Sequence, residues 1–531
     1  MLRSAGRLAL PALVLATLSV CVAHAGGTLV YCSEGSPEGF DPAQFTTGTT
    51  FHASSATIYN RLVDYAPGST RLIPSLATRW QVSQDGLTYT FTLRPGVKYQ
   101  TIPGFAPSRD FNADDVLFTF NRLLDKNLPF RKAYPTEFPY VADAGLDKNL
   151  DKVEKVDDLT VRFVLKKPDS AFLPNLATDF ASILSAEYAA QLLKQGRPQD
   201  INLKPVGTGP FVLKSYQKDA TIRYARHPGY WRANHVQIDN LVFAITPDSA
   251  VRAQRLKAGE CQLADSLKPD DIAELKKVPQ VQLISRPGMT LGFLAYNTQK
   301  KYLDQANVRR ALDMAIDKPA ILASIYQGSG IAASNPIPPG QWGYKGLKST
   351  PYNPAEAQKL LHAAGVPQGY EVALWAMPVQ RPYNPNARRM AEMIQSDWAK
   401  VGIKAKIVSY EWGEYNKRIK KGEHDAALLG WSADNGDPDN WLGTLLSCDA
   451  IGGSNSARWC NKDYDALVTQ ARGLPSMQAR SNLYARAQLV FGRELPFSPI
   501  AYTVVYKAAR KNVQGVVISP LNTSFEDISV R

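Results

Sequence analysis

Residues 388–408, RRMAEMIQSDWAKVGIKAKIV, carry the pattern that decides the fold class. Four apolar residues recur at helical spacing and define one packed face: Met390, Ile394, Trp398 and Val401. After Gly402, the short and mostly apolar run Ile403–Val408 predicts a buried strand. A helix followed at once by a strand is the repeating unit of α/β folds, and the same order recurs along the second half of the chain. We therefore expect α/β lobes.

The first half of the chain predicts strands interrupted by helices. Residues Thr88–Leu93 alternate polar and apolar side chains, and a turn dipeptide, Asp-Gly, precedes them at residues 85–86. Asn112 is a candidate helix cap, and Asp114 and Asp115 in the first turn of that helix favour the positive end of its dipole. These two carboxylates therefore have a structural explanation.

The length of 531 residues exceeds what one hydrophobic core supports, because single cores stop growing near ~250–300 residues. Two large lobes are expected. The sequence holds no internal repeat and no low-complexity linker, which predicts that strands cross between the lobes instead of a flexible tether. The expected crossings are residues 285–288 and the proline-rich residues 496–499, with the last strand returning to the first lobe.

The N-terminal residues have the features of a cleaved secretory signal peptide. Arg3 and Arg7 precede an apolar stretch, residues 8–22, which ends in Ala-His-Ala at residues 23–25. The stretch is shorter than the ~20 residues that cross a bilayer as a helix, which disfavours a permanent anchor. Lipid attachment at Cys21 is disfavoured because the residue before it is a valine instead of a small residue.

Charge and cysteine content narrow the possible partners. Cleavage after residue 25 would lower the formal net charge from +13 to +11. The Lys and Arg residues are dispersed, so no nucleic-acid partner is expected. Four cysteines follow the signal region, and an even number in an exported chain favours two disulfides, for which three pairings are possible. The absence of Cys-x-x-Cys disfavours redox catalysis and zinc ribbons.

A search for catalytic motifs finds no Walker-type phosphate loop, no Gly-x-Ser-x-Gly and no His-Glu-x-x-His. The histidines beyond the signal region show no metal-ligand spacing: His52, His227, His235, His362 and His424. We therefore predict no enzyme activity, no metal and no cofactor. A hydrolase can be assembled from residues far apart in sequence, so an exported peptide hydrolase is the alternative from a different class.

Two segments are rich in polar and conformationally stiff residues that a hydrophobic core does not require. Residues 375–386, WAMPVQRPYNPN, place three prolines around Arg381. Residues 430–440, GWSADNGDPDN, hold three carboxylates, and each segment follows a short apolar run. Stiff loops of this kind position side chains for binding. The second segment also fits an ordinary solvated turn, since Asn-Gly and Asp-Pro favour turns.

These segments also carry a resemblance to a known family. Residues 28–50, 375–400 and 430–440 resemble the periplasmic dipeptide-binding proteins of bacterial ABC importers, which belong to the extracytoplasmic solute-binding family 5. The likeness runs along nearly the whole chain beyond the signal region, and it includes residues 111–124, 205–211 and 307–322.

The resemblance implies a two-lobed α/β periplasmic binding protein fold with an extra subdomain and a ligand cleft between the lobes. After a signal peptide of residues 1–25, residues 26–286 and 505–531 would form the first lobe, which includes the extra subdomain. Residues 287–504 would form the second lobe. The resemblance also implies two disulfides, which would join Cys32 to Cys261 and Cys448 to Cys460.

The resemblance further implies the ligand contacts. Asp434 matches the carboxylate that pairs with a peptide's α-ammonium group, and Arg381 matches the guanidinium that binds its α-carboxylate. The other implied contacts are Pro382 and Tyr383 beside Arg381, Trp431, Ser432 and Ala433 before Asp434, and Thr46 from the first lobe. Ser432 and Ala433 stand where the family pattern has Thr and Gly, which leaves the preferred ligand side chains open.

The implied function is that of a periplasmic receptor, expected to be monomeric, that closes around a dipeptide and delivers it to an inner-membrane ABC permease complex. An extended dipeptide separates its two charged ends by roughly 7 Å. An acid and a base held at that separation measure ligand length, and the planar fork of Arg suits a carboxylate. Receptors of the same fold for longer peptides or haem are the alternatives.

Overall fold

The structure is a computed structural model, and it describes residues 26–45, 47–143, 145–378, 381–410, 412–521 and 523–531. The proposed signal peptide and Thr46 lie outside the described residues. None of the described helices is long and apolar enough to span a bilayer. The described residues form the following strands: β1 (Gly27–Ser33), β2 (Val63–Tyr65), β3 (Leu72–Pro74), β4 (Ala77–Val82), β5 (Thr88–Leu93), β6 (Leu150–Asp157), β7 (Thr160–Leu165), β8 (Phe211–Gln217), β9 (Thr221–Arg226), β10 (Ile238–Ile245), β11 (Leu263–Ala264), β12 (Val281–Tyr296), β13 (Gly330–Ala332), β14 (Tyr370–Trp375), β15 (Ile403–Val408), β16 (Ala426–Ser432), β17 (Phe497–Arg510), β18 (Val513–Gln514) and β19 (Ser529–Val530).

The α-helices of the same ranges are α1 (Gly48–Ala53), α2 (Ala113–Leu124), α3 (Pro129–Ala133), α4 (Pro139–Asp143), α5 (Leu146–Asn149), α6 (Phe172–Leu176), α7 (Ala186–Lys194), α8 (Asp200–Leu203), α9 (Ser249–Ala258), α10 (Pro269–Leu275), α11 (Ala306–Met314), α12 (Lys318–Ile321), α13 (Pro354–Ala363), α14 (Ala387–Ala399), α15 (Trp412–Lys421), α16 (Asp439–Leu446), α17 (Lys462–Arg472) and α18 (Met477–Glu494). Strands and helices therefore mix along the whole chain, which confirms the α/β prediction.

One large mixed sheet runs through the molecule. Its strand order is β15-β14-β16-β12-β17-β11-β1-β10-β9-β8, and β13 pairs with β17 beside this path. Each outer region of the sheet contains a parallel strand pair, β14 with β15 in one region and β1 with β10 in the other. The central pair, β12 with β17, is antiparallel. The sheet thus has an α/β region on each side of a central antiparallel ribbon.

The central ribbon connects two groups of hydrophobic cores. Val281 of β12 pairs with Arg510 at one end of the ribbon, and Ala295 pairs with Phe497 at the other. Two core clusters draw on residues before position 282 and after position 507, and two others draw on residues 289–502. Each end of the ribbon is therefore embedded in a different lobe.

The two expected crossings both fall on this ribbon. Residues 285–288 lie inside β12, where pairing in register is interrupted between Pro287 and Leu291. The expected crossing at residues 496–499 is placed too early in the chain, since Phe497 still packs in a core of the second lobe. The later residues Val504 and Val505 lie opposite Pro287 and Arg286. Lobe boundaries at 286/287 and 504/505 stay a prediction.

A smaller antiparallel sheet, β4-β5-β7-β6, is separate from the large one and lies in the first half of the chain. The predicted strand Thr88–Leu93 is confirmed as β5, and its alternation buries Tyr89, Phe91 and Leu93. The predicted cap is also confirmed, because the Asn112 side chain accepts from the Asp114 amide at the start of α2. This separate sheet agrees with the extra subdomain that the family resemblance implies, but the place of that subdomain in the chain stays a prediction.

The stretch that opened the sequence argument behaves largely as predicted. Met390, Ile394, Trp398 and Val401 are all buried, and α14 is followed by β15 as expected. The prediction that β15 is a buried strand is wrong. It lies at the edge of the large sheet, and the exposed Lys404 and Lys406 alternate with the buried Ile403 and Ala405. Lysines on an edge strand discourage pairing with other chains.

Candidate ligand-binding site

Arg381 lies in a closed turn between β14 and α14. The backbone amide of Arg381 donates to the Asn384 carbonyl at 3.1 Å, and the Asn384 amide donates to the Arg381 carbonyl at 3.0 Å. The buried Asn384 side chain accepts from the Asn386 amide, and Asn386 then caps α14. The turn and the helix start are therefore one hydrogen-bonded unit, which gives the half-buried Arg381 a fixed backbone.

Tyr383 packs against two glycines of the large sheet. A Cβ atom on Gly430 would overlap the Tyr383 ring, and a Cβ atom on Gly292 would overlap the Tyr383 carbonyl oxygen. That carbonyl accepts from the Tyr326 hydroxyl at 2.8 Å. Burial raises the pKa of Tyr383, and the neighbouring Arg381 guanidinium, which contacts the Tyr383 side chain, opposes this rise. The two glycines thus allow Tyr383 to lie directly on the sheet beside Arg381.

Asp434 follows the end of β16 and is oriented by Asn440. The Asn440 amide oxygen accepts from the Trp431 indole and from the Asp434 backbone amide, both at 3.0 Å. The Asn440 nitrogen donates to the Asp434 carboxylate at 2.8 Å. One side chain therefore fixes two of the predicted site residues. Sequence reasoning did not assign Asn440 a role, although it closes the quoted segment of residues 430–440.

The structure brings Arg381 and Asp434 to one cavity of about 400 Å³. Pro382, Tyr383, Trp431 and Ser432 also line this cavity. Ala433 lines neither this cavity nor the next one; its amide donates to the Met289 carbonyl and its side chain packs on a core cluster. The predicted residues of the second lobe therefore converge, with the exception of Ala433.

A second cavity of about 390 Å³ joins the first lobe to the same residues. Trp431 and Asp434 line both cavities. The first-lobe wall of the second cavity consists of Tyr140, Ala171, Asn175, Thr178 and Phe180. Trp431 and Asp434 thus lie where a pocket of the second lobe opens towards the first lobe, which is the position expected for a cleft between lobes.

The two lobes touch beside this cleft through buried polar contacts. The Gly436 amide donates to the Tyr65 hydroxyl at 2.9 Å, and that hydroxyl donates to the Pro174 carbonyl at 2.9 Å. The Asn435 side chain donates to Asn175 at 3.0 Å. The Asn-Gly dipeptide that the sequence marked as a turn is therefore a contact between lobes. No local pattern indicates its partners, because they lie hundreds of residues away.

The disulfide between Cys448 and Cys460 closes a loop that lines the site. The Cα atoms of this pair are 4.6 Å apart, and Gly453, Ser454 and Ser456 of the loop line the Arg381 cavity. The other disulfide joins Cys32 to Cys261, with Cα atoms 5.8 Å apart, and is buried in a first-lobe core. The structure therefore contains both pairings that the family resemblance implied.

His424 stabilises the same loop through a contact with its backbone. It is fully buried, and its Nε2 lies 2.8 Å from the Ser456 carbonyl oxygen. Nε2 must carry a proton to donate to this carbonyl, and Nδ1 has no hydrogen-bond partner among the described residues. Burial lowers the pKa of His424 to about 4. The neutral imidazole is therefore a structural part of the loop.

The described structure contains one cluster of potential metal ligands, and it lies away from the two cavities. His235, Glu526 and Asp527 offer ligand atoms within 4.8 Å of one another, but none of them lines either cavity. Glu526 is already paired with Arg232 at 3.1 Å. In the described part of the chain, the walls of the two cavities include no histidine, cysteine or methionine. The site therefore offers charges and hydrogen bonds, together with the ring of Trp431.

Comparison with known proteins assigns the family. A family model described as bacterial extracellular solute-binding proteins, family 5 Middle, matches residues 71–453. The chain belongs to this family of bacterial solute-binding proteins. Curated relatives of this solute-binding protein include di/tripeptide-binding protein 1 of Pseudomonas aeruginosa, 56% identical with 98% of each chain covered. The dipeptide-binding protein of Escherichia coli is 50% identical over 100% of this chain and 99% of its own.

Two solved structures support the same assignment. HbpA2 from Haemophilus parasuis matches with a TM-score of 0.93 and 43% identity over 95% of this chain and 100% of that chain. A dipeptide-binding protein from Pseudoalteromonas sp. SM9913, in complex with Met-Leu, matches with a TM-score of 0.74 and 37% identity over 95% and 100%. Heme-binding protein A of Haemophilus influenzae is 45% identical, with 95% of this chain and 92% of its own covered. The predicted two-lobed fold of the family is confirmed.

We expect His424 to make this solute-binding protein sensitive to acid. The pKa of about 4 lies below the usual 6.5, so the stability that the neutral ring contributes is complete above pH 6.5 and is lost as the pH falls towards 4. Relative to His424→Gln, which cannot titrate, the wild type should lose on the order of 3 kcal/mol of unfolding free energy over this interval. Urea denaturation at a series of pH values measures the difference.

His362, exposed on α13, provides the control. His362→Gln should follow the wild-type pH dependence throughout. A His424→Gln protein whose stability changes with pH just as the wild type's does would contradict the role given to His424.

Proposed function

We propose that this protein is a dipeptide receptor that binds its ligand in the cleft between the lobes and catalyses nothing. The observation that carries the proposal is that Arg381 and Asp434 line one cavity of about 400 Å³. This volume lies within the range of small-molecule sites. A dipeptide carries one charge of each sign, and the cavity offers a partner for each. The dipeptide-binding and di/tripeptide-binding relatives support the same ligand class.

The terminal charges are the basis of selection in this proposal. Asp434 pairs with the α-ammonium group, and Arg381 binds the α-carboxylate through two parallel hydrogen bonds. Removing these charges from water costs several kcal/mol each, and pairing recovers that cost only when both partners are present. A peptide with a blocked end leaves one protein charge without its partner, and a longer peptide cannot place both ends at once. Length selection follows from the fixed spacing of the two groups.

The remaining predicted contacts complete the site. Tyr383 and Trp431 provide walls that tolerate varied side chains, and Pro382 and Ser432 border the ligand, whereas Ala433, which lines neither cavity, is left out of the site. Thr46 contributes from the first lobe. Closure of the lobes then distinguishes a loaded receptor from an empty one, because a ligand that contacts both lobes favours the closed state by its differential affinity.

The cellular setting follows from the same proposal. The protein acts as a monomer in the periplasm after cleavage of residues 1–25, and it delivers dipeptides to an inner-membrane ABC permease complex. The lobes are residues 26–286 with 505–531, and residues 287–504. One structurally related protein is described as an ABC transporter-associated periplasmic binding protein, and it is in complex with the peptide STSA.

Haem is the second candidate ligand, because a heme-binding protein is among the relatives. The charges of the described cavity walls favour the peptide, since Arg381 and Asp434 suit a zwitterion. Of the side chains that usually hold haem iron, the described wall of the Arg381 cavity offers Tyr383 but no His, Met or Cys. Peptide hydrolysis is the different-class alternative. Incubation with Ala-Ala separates it from binding: a receptor returns the intact dipeptide, and a hydrolase releases alanine.

We expect Arg381→Ala and Asp434→Ala each to weaken the binding of Ala-Ala by about 2 kcal/mol or more, roughly 30-fold, because each leaves a ligand charge without a partner. Isothermal titration calorimetry measures the affinity. Arg381→Ala should no longer distinguish Ala-Ala from its C-terminal amide, and Asp434→Ala should no longer distinguish Ala-Ala from its N-acetyl form. The exposed Arg388, which pairs with Glu392 on α14, gives the control Arg388→Ala, which should bind like the wild type.

Wild-type affinity in either variant would remove the site assignment. So would an Arg381→Ala protein that still discriminates against the amide as strongly as the wild type does.

We also expect Gly430→Ala to weaken Ala-Ala binding by about tenfold or more, because the new Cβ displaces the Tyr383 ring that borders the ligand. The Leu291 carbonyl lies 2.7 Å from the same Cβ position, so the new methyl group is crowded by backbone as well. Gly346→Ala is the control, because its Cβ would meet only Tyr344 at 4.0 Å. Unchanged affinity in Gly430→Ala would show that the position of Tyr383 is irrelevant to binding.

A further inference from the structure

The charges that line the Arg381 cavity do not balance. Among the described residues, its charged wall groups are Arg381, Lys420 and Asp434, two cations and one anion. A zwitterionic dipeptide with neutral side chains pairs Arg381 and Asp434 and adds no net charge. One positive charge, that of Lys420, then remains at the cavity wall without a partner on the ligand. Low-dielectric walls strengthen the field of such a charge and favour a ligand of opposite sign.

Lys420 is placed to act on the ligand. It is in the last turn of α15, and Asn416, four residues earlier and thus on the same helix face, also lines the cavity. The Lys420 carbonyl accepts from the Arg458 guanidinium at 2.9 Å, and the neighbouring Ile419 is buried, so the backbone at this position is anchored. The Lys420 side chain is exposed.

Two basic neighbours of Lys420 on α15 are paired with carboxylates, whereas neither Lys420 nor the adjacent Lys421 has such a partner among the described residues. Arg418 pairs with Glu414 at 2.7 Å and with Glu423 at 3.3 Å, and Lys417 lies 3.9 Å from Glu414. In the ranges that the structure describes, no carboxylate lies within 4.0 Å of the Lys420 ammonium group. Lys420 is therefore a cation at a cavity wall whose pairing capacity is available to a ligand.

The position of Lys420 relative to the two cavities indicates which end of a dipeptide it faces. Asp434 lines both cavities, whereas Arg381 and Lys420 line only the one within the second lobe. Lys420 is thus on the Arg381 side of Asp434. If Arg381 holds the α-carboxylate, the residue whose side chain can approach Lys420 is the C-terminal one.

We propose that Lys420 is a specificity residue that pairs with an acidic side chain on the C-terminal residue of a bound dipeptide. This inference rests on the proposed function and adds to it a preferred ligand class, dipeptides of the form X-Glu or X-Asp. The second carboxylate brings the net charge of the ligand to −1 and cancels the charge that a neutral dipeptide leaves. No covalent step is involved; the contact is an ion pair across the cavity.

The test compares ligands that differ in one charge but not in shape. Calorimetry at low ionic strength gives the affinities of Ala-Glu and Ala-Gln for the wild type, Lys420→Met, Lys420→Arg and Lys421→Ala. Lys420→Met keeps the apolar stem and removes the charge. Lys421 is the matched control, because it is adjacent and exposed but lines neither cavity.

The wild type should bind Ala-Glu about fivefold more tightly than Ala-Gln, as one solvent-accessible ion pair permits. Lys420→Met should abolish this ratio, and Lys420→Arg and Lys421→Ala should retain it. The ratio should also shrink as salt is added, because salt screens the pair.

The inference is overturned if the wild-type ratio is near one, if Lys420→Met retains it, or if Lys420→Met weakens both ligands equally. It is also overturned if the Lys420-dependent preference is for Glu-Ala over Gln-Ala instead. Failure of the proposed function has a different signature, in which neither Ala-Ala nor Ala-Gln binds to the wild type at all.

Discussion

The antiparallel pairing of β12 with β17 is the constraint on which the rest of the molecule depends. Each strand passes from one group of cores to the other, so the two lobes share a main-chain hydrogen-bond ladder. The ladder is weakest in its middle. Pro287 has no amide hydrogen to donate, and pairing in register stops between Pro287 and Leu291. Bending the ribbon there requires the least free energy, because few hydrogen bonds must be broken. Packing holds both ends of the ribbon in place.

The predicted binding residues are held in place by neighbouring groups that the sequence did not single out as ligand contacts. The Asn440 side chain is hydrogen-bonded to both Trp431 and Asp434. Two glycines on adjacent strands, Gly292 and Gly430, leave room for Tyr383. Such arrangements hold side chains in place before a ligand arrives, which lowers the entropy that binding must overcome. In the proposed receptor, the two charges that select the ligand are therefore held by the framework of the second lobe.

Sequence patterns predicted the local structure well and the site only through resemblance. The alternation in β5 and the apolar face of α14 are properties of short segments, so they could be identified directly. Arg381 and Asp434 lie in segments that looked like binding loops, yet composition alone also allowed an ordinary turn at Asp434. The roles of Asn440 and of the Asn435 contact with Asn175 depend on pairing over long distances, and a single sequence does not record such pairs. The edge position of β15 was missed because apolar content was weighed above the alternating lysines.

The loop closed by Cys448 and Cys460 has a consequence for when the protein can work. Three of its residues form part of the wall of the Arg381 cavity, and the cross-link limits how far that wall can drift. A chain in a reducing compartment has free thiols at these positions, and the wall is then held by hydrogen bonds and by the core packing of Ala457 and Trp459. Oxidation after export completes it. For the proposed receptor, the binding wall would therefore be complete only where disulfides form, outside the compartment of synthesis.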